Sequence, residues 1–161
     1  MVVSVSNPAA VSAVKGPVIL LADDDKDDLD MTLRALTKNE LAGDFYTVHD
    51  GEELLDFLHH RGKFAPPALS PTPQLILLDL NMPKMDGREA LREIKSHPEF
   101  HRIPVVVMTT SAAQQDVTRA YDLGSNSFIT KPVTLAELVE VTRVLGQYWF
   151  SIVKLPGKNV P

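Results

Sequence analysis

Short apolar runs that end abruptly in polar residues constrain the fold of this chain more than any other feature. The strongest are Val18–Ala22, Leu75–Leu78 and residues 105–108, followed by the weaker pair Phe128 and Ile129 and by residues 45–49. Continuous apolar residues, without polar alternation, are typical of parallel strands that are covered on both faces. We therefore predict five strands of a parallel sheet.

Helical patterns lie between these runs and after the last one. Their apolar residues recur at spacings of three and four: Leu29, Leu33 and Leu36; Leu54, Leu55 and Leu58; Ala90, Leu91 and Ile94; Val117 and Tyr121; Leu135, Leu138, Thr142 and Leu145. Five alternations of strand and helix indicate an α/β protein with a doubly wound (βα)5 sheet and helices on both faces.

Length and composition indicate one domain and argue against some classes of binding partner. The chain has 161 residues, 16 basic and 21 acidic side chains and no cysteine. This balance gives no basic face for nucleic acid or anionic lipid, and no apolar run approaches the roughly 20 residues that span a bilayer. The absence of cysteine suits a cytoplasmic protein. We predict a flexible tail over residues 1–16, a domain over 17–147 and a C-terminal aromatic arm over 148–161.

Residues 62–73 connect the second predicted helix to the third run. They include four of the twelve prolines, so a helix is not expected there. We interpret them as a stiff surface connection within one domain, because the sheet needs strands from both sides.

Polar residues follow four of the runs. Asp23 and Asp24 follow the first run, Asp79 follows Leu78, Thr109 follows the fourth strand, and Lys131 follows the fifth. Ligands of open parallel sheets bind beyond the carboxyl ends of the strands. We therefore expect three carboxylates, a hydroxyl and an ammonium to meet in one crevice.

These groups suit phosphoryl transfer assisted by Mg²⁺. Clustered carboxylates raise one another's pKa unless a cation lies among them, and Mg²⁺ prefers oxygen ligands. A carboxylate can also act as a nucleophile and form an aspartyl phosphate. An ammonium and a hydroxyl would then hold the phosphoryl oxygens.

Other acidic and basic side chains have simpler interpretations. Asp25, Asp27 and Asp28 are interpreted as an acidic helix start, which the helix dipole favours. His97 and His101 have a metal-binding spacing, but Pro98 interrupts the helix that this spacing would need. We therefore expect no histidine metal site.

The chain resembles the response-regulator receiver domain over about residues 17–147. The resemblance rests on ordered segments: ADD at the end of the first strand, LLDLNMPKMDG at the third, VVVMTTS at the fourth and FITKP at the fifth. It implies a flavodoxin-like strand order 2-1-3-4-5. It also implies a stand-alone phosphorylation switch that receives a phosphoryl group from a sensor histidine kinase.

The resemblance assigns roles to the carboxylates. Asp79 corresponds to the phosphoacceptor, Asp24 to the main ligand of Mg²⁺, and Asp23 to a ligand acting largely through water. The backbone carbonyl of Asn81 is a further expected ligand, and Mn²⁺ is expected to substitute for Mg²⁺. Asp24 with Asp25 is the alternative pair, but Asp23 with Asp24 is preferred because that pair directly follows the apolar strand.

The resemblance also assigns the switch residues. Thr109 would bond the new phosphoryl group, and Lys131 would pair with Asp79 before phosphorylation and with phosphoryl oxygens after it. Phe128 occupies the position of the switch aromatic and lacks the hydroxyl of the tyrosine often found there. Pro132 is expected to follow a cis peptide bond, which costs only about 0.5–1 kcal/mol before proline.

Within this family, the chain most resembles the single-domain regulators that partner bacterial and cyanobacterial phytochrome histidine kinases. This likeness rests on the proline-rich connection, on HPEFHRIPVVVMTTS and on the tail QYWFSIVKLP. Tyr148, Trp149 and Phe150 are expected to form an arm that makes a homodimer, with folding of the tail onto its own core as the alternative.

Three competing functions are considered. A phosphohydrolase of the haloacid dehalogenase type would need a second acid two residues after Asp79, where Asn81 stands. A DNA-binding regulator would need a helix-turn-helix module, for which the residues after Lys131 are too few. A relay shuttle to a histidine phosphotransferase uses the same residues as the switch and stays an alternative.

Overall fold

A computed structural model describes the backbone of residues 2–5 and the whole of residues 16–41 and 43–156. The chain forms one six-stranded sheet. The strands are β1 (Val2–Val5), β2 (Val18–Ala22), β3 (Gly43–Val48), β4 (Leu75–Leu78), β5 (Val105–Thr109) and β6 (Ser127–Thr130). The helices are α1 (Lys26–Lys38), α2 (Gly51–His59), α3 (Gly87–Ser96), α4 (Gln114–Asp122) and α5 (Leu135–Gln147).

The sheet confirms the predicted fold. Its order is β1-β3-β2-β4-β5-β6, and the five strands from β2 to β6 are parallel. Numbered among themselves, these five strands have the order 2-1-3-4-5. The order reverses direction between β2 and β4, where such sheets form their binding crevice.

The additional strand β1 is a feature that the sequence analysis did not predict. Residues Val2–Val5 pair antiparallel with β3, with Val2 opposite Tyr46 and Val5 opposite Gly43. Three of its four residues are valine, which favours extended backbone. Of the other residues of the predicted tail, 1 and 6–15 lie outside the described residues.

The apolar runs are continuous because both faces of each strand are covered. In β2, Leu20 and Ala22 belong to the core under α2 and α3, whereas Ile19 and Leu21 belong to the core under α1 and α5. Successive side chains of a strand point to opposite faces. The sheet is therefore buried between two helical layers.

Polar side chains fix the helix starts on the binding edge of the sheet. Asp25, Asp50, Asp86 and Thr134 accept backbone N–H bonds at the beginnings of α1, α2, α3 and α5. Such N-caps satisfy amide groups that have no partner within the helix. For Asp25, the interpretation as a helix start is confirmed.

The connection over residues 62–73 is mostly irregular, but the expectation of no helix is wrong at its beginning. Gly62–Phe64 forms one 3₁₀ turn that places Phe64 in the core, with its ring 5.1 Å from that of Phe57. The prolines begin only at Pro66, so they do not prevent this turn.

The predicted arm begins with a π-helical turn, Tyr148–Ile152, that continues α5. Trp149 and Phe150 pack against the core between the sheet, α1 and α5, whereas Tyr148 is 48% exposed. Two of the three aromatics thus cover their own subunit. Among the described residues, no helix has the length and apolar character needed to cross a membrane.

Candidate functional site

Three carboxylates meet at the carboxyl edge of the sheet. Asp23 follows β2 and Asp79 follows β4, and both are buried, whereas Asp24 is exposed. One oxygen from each residue lies within 4.8 Å of the others. Asp25 lies outside this group, because its carboxylate instead accepts the backbone N–H groups of Asp27 and Asp28.

Lys131 brings an ammonium to the same place from the end of β6. Its Nζ lies 2.6 Å from Asp23 Oδ2, 2.8 Å from Asp28 Oδ2 and 3.2 Å from Asp79 Oδ2. Its backbone N–H donates to the carbonyl of Thr109 at 2.7 Å. The extended pairing of β5 and β6 therefore aims the lysine at the carboxylates.

Burial and charge shape the protonation of the site. Burial raises the pKa of Asp23 to about 6, although hydrogen bonds from Lys131 and from the Asp25 amide stabilise its charged form. Burial lowers the pKa of Lys131, but its hydrogen bonds to Asp23 and Asp28 outweigh this and hold the pKa above its ordinary value. The lysine is therefore a fixed positive charge beside Asp79.

Thr109 ends β5 with its side chain fully buried. Its Oγ1 makes no hydrogen bond among the described residues. A buried hydroxyl without a partner is unfavourable by roughly 1–3 kcal/mol. Thr109 thus keeps a donor uncommitted at the edge of the sheet where the carboxylates lie.

Phe128 lies on β6, opposite Val107 of β5. Its half-buried ring packs against a small cluster formed by Leu80, Val107 and Ala120. Leu80 is the residue after Asp79, and Ala120 belongs to α4. The aromatic side chain therefore links the neighbourhood of Asp79 to the helix that follows Thr109.

The loop after β4 is tightly folded around Asp79. The backbone N–H of Asn81 donates to Asp79 Oδ1 at 3.3 Å, and the backbone N–H of Gly87 donates to the Leu80 carbonyl at 2.8 Å. Asn81 itself is exposed. The role of its carbonyl as a metal ligand stays a prediction.

Gly87 is required by close backbone contact. A Cβ at this position would collide with the carbonyl oxygen of Asp79 and lie 2.7 Å from the Cα of Leu80. We expect Gly87→Ala to destabilise the protein by about 1–3 kcal/mol, the usual cost of overpacking, and to displace Asp79. Chemical denaturation measures the loss of stability, and a lower extent of phosphorylation reports the displacement of Asp79.

The matched control for Gly87→Ala is Gly62→Ala. At Gly62 an added Cβ would meet only Asp56 Oδ2, at 3.6 Å, although the positive φ of 57° adds local strain. This variant should be phosphorylated like the wild type. Equal phosphorylation of Gly87→Ala and wild type would contradict the packing argument.

Two contacts near the site were missed by sequence reasoning. Asp28 was interpreted as part of an acidic helix start, but it also bonds Lys131. Arg88 Nη2 bonds Asp116 Oδ1 at 2.7 Å, joining the beginnings of α3 and α4. No local spacing signals either pair, because their members belong to different elements.

The expectation of a cis bond before Pro132 is wrong. Among the described residues, the cis peptide bond is Pro66–Pro67 and not Lys131–Pro132. The two forms of a bond before proline differ by only about 0.5–1 kcal/mol. So small a difference does not fix the isomer, which the resemblance alone had implied.

The donor set fits a divalent cation. Asp23, Asp24 and Asp79 offer hard oxygen ligands, and the exposed carboxylate of Asp24 leaves the group open to solvent. Hydrated Mg²⁺ and Mn²⁺ prefer such ligands. A divalent cation would also offset repulsion among the three carboxylates, which one ammonium cannot neutralise alone.

Comparison with known proteins identifies the class. The family model described as the response regulator receiver domain matches residues 19–143 of this chain. The chain therefore belongs to the response-regulator receiver family. Proteins of this family are phosphorylation switches of two-component systems that work with a histidine kinase and a divalent metal.

The similar proteins include cyanobacterial phytochrome regulators. Response regulator Rcp1 of Synechocystis sp. is 40% identical over 140 residues, covering 87% of this chain and 93% of Rcp1. The Mn²⁺-bound crystal structure of Rcp1 matches with a TM-score of 0.80, covering 88% of this chain and 99% of that one. Phosphorylated RcpA, a cyanobacterial phytochrome response regulator, matches at 40% identity with a TM-score of 0.81 and the same coverage.

Proposed function

We propose that this protein accepts a phosphoryl group on Asp79 from a phosphohistidine of a sensor kinase. The observation that carries the proposal is the position of Asp79, which is buried at the end of β4 with its carboxylate 3.2 Å from Lys131. A carboxylate oxygen of Asp79 attacks phosphorus, the phosphorus–nitrogen bond breaks, and the imidazole leaves. Attack by water on the phosphorus later breaks its bond to the Asp79 oxygen, which releases inorganic phosphate and restores the carboxylate.

Lys131 and Thr109 have separate roles in this proposal. Lys131 keeps a positive charge beside Asp79 and pairs with the phosphoryl oxygens that arrive there. Thr109 offers a hydroxyl that bonds no described residue in the structure and turns toward the phosphoryl group. That movement leaves room for Phe128 to repack against α4, which changes the α4–β6–α5 face.

The proposed metal is Mg²⁺, with Mn²⁺ as a substitute. Asp24 is the main ligand, Asp23 acts largely through water, and Asp79 and the Asn81 carbonyl complete the protein ligands. When bound, the cation neutralises charge that develops on the transferred group. The hard oxygen donors of the three carboxylates support this assignment.

The proposed donor is a phytochrome histidine kinase. This assignment rests on the similarity to Rcp1 and to RcpA, whose structure is described as that of a phytochrome response regulator. The proposal places the protein in the cytoplasm, where a histidine kinase obtains ATP.

Incubation of the purified protein with Mg²⁺ and acetyl phosphate tests the function. Intact mass should increase by one phosphoryl group, and a phosphate-retarding gel should show a second band. Omitting Mg²⁺ or adding excess chelator should prevent both changes. A protein that remains unmodified with Mg²⁺ present would overturn the proposal.

A homodimer is the second part of the proposal. Val144, Tyr148 and Ile152 are spaced by four residues and are 50%, 48% and 66% exposed; we name them the α5 stripe. Aromatic side chains are enriched at interfaces, and a two-fold axis would bring two copies of the stripe together. The arm therefore contributes Tyr148 to the interface, while Trp149 and Phe150 support it from within the subunit.

We expect the double substitution Tyr148→Ser and Ile152→Ser to convert the dimer into a folded monomer. Both side chains are exposed, so their loss leaves the core intact. Deleting the arm from Tyr148 onward should also give a monomer, but it removes Trp149 and Phe150 from the core. Multi-angle light scattering at micromolar concentration measures the mass.

Leu69→Ser is the control, because Leu69 is 73% exposed but lies outside the α5 stripe. It should leave the dimer unchanged. A wild-type protein that is monomeric with and without phosphorylation would contradict the dimer, as would a double variant that stays dimeric.

A further inference from the structure

Lys131 has a carboxylate partner outside the group of three. Asp28 Oδ2 lies 2.8 Å from Lys131 Nζ, closer than Asp79 Oδ2 at 3.2 Å. Asp28 belongs to the first turn of α1 and is not part of the cluster formed by Asp23, Asp24 and Asp79. The ammonium is therefore divided between the cluster and a separate acceptor.

The surroundings of Lys131 show the same division. A small cavity of about 20 Å³ has a lining that includes Asp23 and Asp79. A neighbouring cavity of about 340 Å³ has a lining that includes Asp28 and Pro132. Lys131 lines both cavities, whereas Asp28 lines only the larger one.

This arrangement matters because Asp23 has two competing uses. Asp23 is the nearest ion-pair partner of Lys131, with 2.6 Å between Asp23 Oδ2 and Lys131 Nζ. It also belongs to the carboxylate group that suits a divalent cation. Two cations that share one carboxylate repel each other, so sharing Asp23 weakens its bond to the ammonium. A lysine that loses this bond inside the protein needs another acceptor.

Asp28 provides that acceptor. Among the described residues, it is the one carboxylate that forms an ion pair with Lys131 without belonging to the group of three. An ammonium has three N–H donors and can bond Asp28 while keeping a bond to Asp79. Its stem need not move far, because both bonds are already present.

We propose that Asp28 is a positioning residue for Lys131. It holds the ammonium beside Asp79 when the oxygens of Asp23 and Asp79 are shared with a divalent cation. The inference rests on the proposed function, since it concerns how the same site accommodates both positive charges. Asp28 itself contacts neither the cation nor the phosphoryl group.

Asp27 provides a matched control. It lies in the same first turn of α1, carries the same charge and is exposed. Its carboxylate forms no ion pair or hydrogen bond among the described residues. Asp27→Asn therefore repeats the change in net charge and in helix-dipole interaction without removing a partner of Lys131.

Calorimetric titration with Mn²⁺ tests the proposal on the full chain. Asp28→Asn should weaken Mn²⁺ binding by about tenfold, within the range of coupling between contacting charged groups. Asp27→Asn should weaken it by less than about threefold, as expected for an exposed charge. In a Lys131→Met background the two substitutions should have equal effects, because the partner that distinguishes them is gone.

The ¹⁵N resonance of the Lys131 ammonium gives a second measurement that does not need the Lys131→Met variant. With Mg²⁺ present, Asp28→Asn should shift this resonance and Asp27→Asn should leave it unchanged. Equal effects of the two substitutions on Mn²⁺ affinity and on the resonance would overturn the inference alone. A wild-type protein that binds no Mn²⁺ would overturn the proposed function and this inference with it.

Discussion

Replacing Asp79 with Asn is expected to abolish phosphorylation while leaving the fold intact. An amide has the shape of the carboxylate but lacks the nucleophilic oxygen, so no acyl phosphate can form. The substitution also removes one of the three negative charges around Lys131. Intact mass after incubation with Mg²⁺ and acetyl phosphate should therefore show no added phosphoryl group.

Asp30→Asn is a suitable control, because Asp30 is an exposed carboxylate on α1. It should be labelled to the same extent as wild type. Labelling of Asp79→Asn at the wild-type level would assign the phosphoacceptor to another side chain and refute the proposed site.

Asp24→Ala should have the second large effect, the loss of metal-dependent phosphorylation. Asp24 is the exposed member of the carboxylate group and forms no ion pair with Lys131. Its oxygens are therefore available to a cation. Mn²⁺ affinity should fall by more than about tenfold, since even indirect partners of a metal ligand contribute that much.

Asp25→Ser distinguishes Asp24 from its neighbour. The Asp25 side chain caps α1, and serine is a comparably good N-cap, whereas alanine would lower stability by about 0.5–2 kcal/mol. Asp25→Ser should therefore bind Mn²⁺ and accept phosphate like wild type. If Asp25→Ser lost metal binding as Asp24→Ala is expected to, the metal pair would be Asp24 with Asp25.

The sequence predicted those parts of the protein that have strong local signals. The runs that became β2, β4 and β5 are apolar on both faces, and this pattern predicted their burial and parallel pairing. Asp79 was identifiable because an ionisable residue directly follows four buried aliphatic ones. The carboxyl-edge rule then predicted that Asp23, Asp24 and Asp79 converge.

Other features depend on tertiary contacts that no local pattern encodes. Asp28 and Lys131 are 103 residues apart, and the helix dipole alone is a sufficient reason for an acid at position 28. The unbonded hydroxyl of Thr109 is a property of its surroundings, since a threonine at a strand end usually finds a partner. The packing of α5 likewise decides that Trp149 and Phe150 of the arm contact the core and that Tyr148 is exposed.

The strand Val2–Val5 has a consequence for association of the sheet. Its backbone pairs with the side of β3 that does not face β2, so the chain's own first residues occupy an edge that could otherwise template pairing with another molecule. The new edge is only four residues long, and short edges are poor templates for aggregation. Removing the N-terminal residues would therefore bare the longer, six-residue strand β3 and make uncontrolled strand-to-strand assembly more favourable.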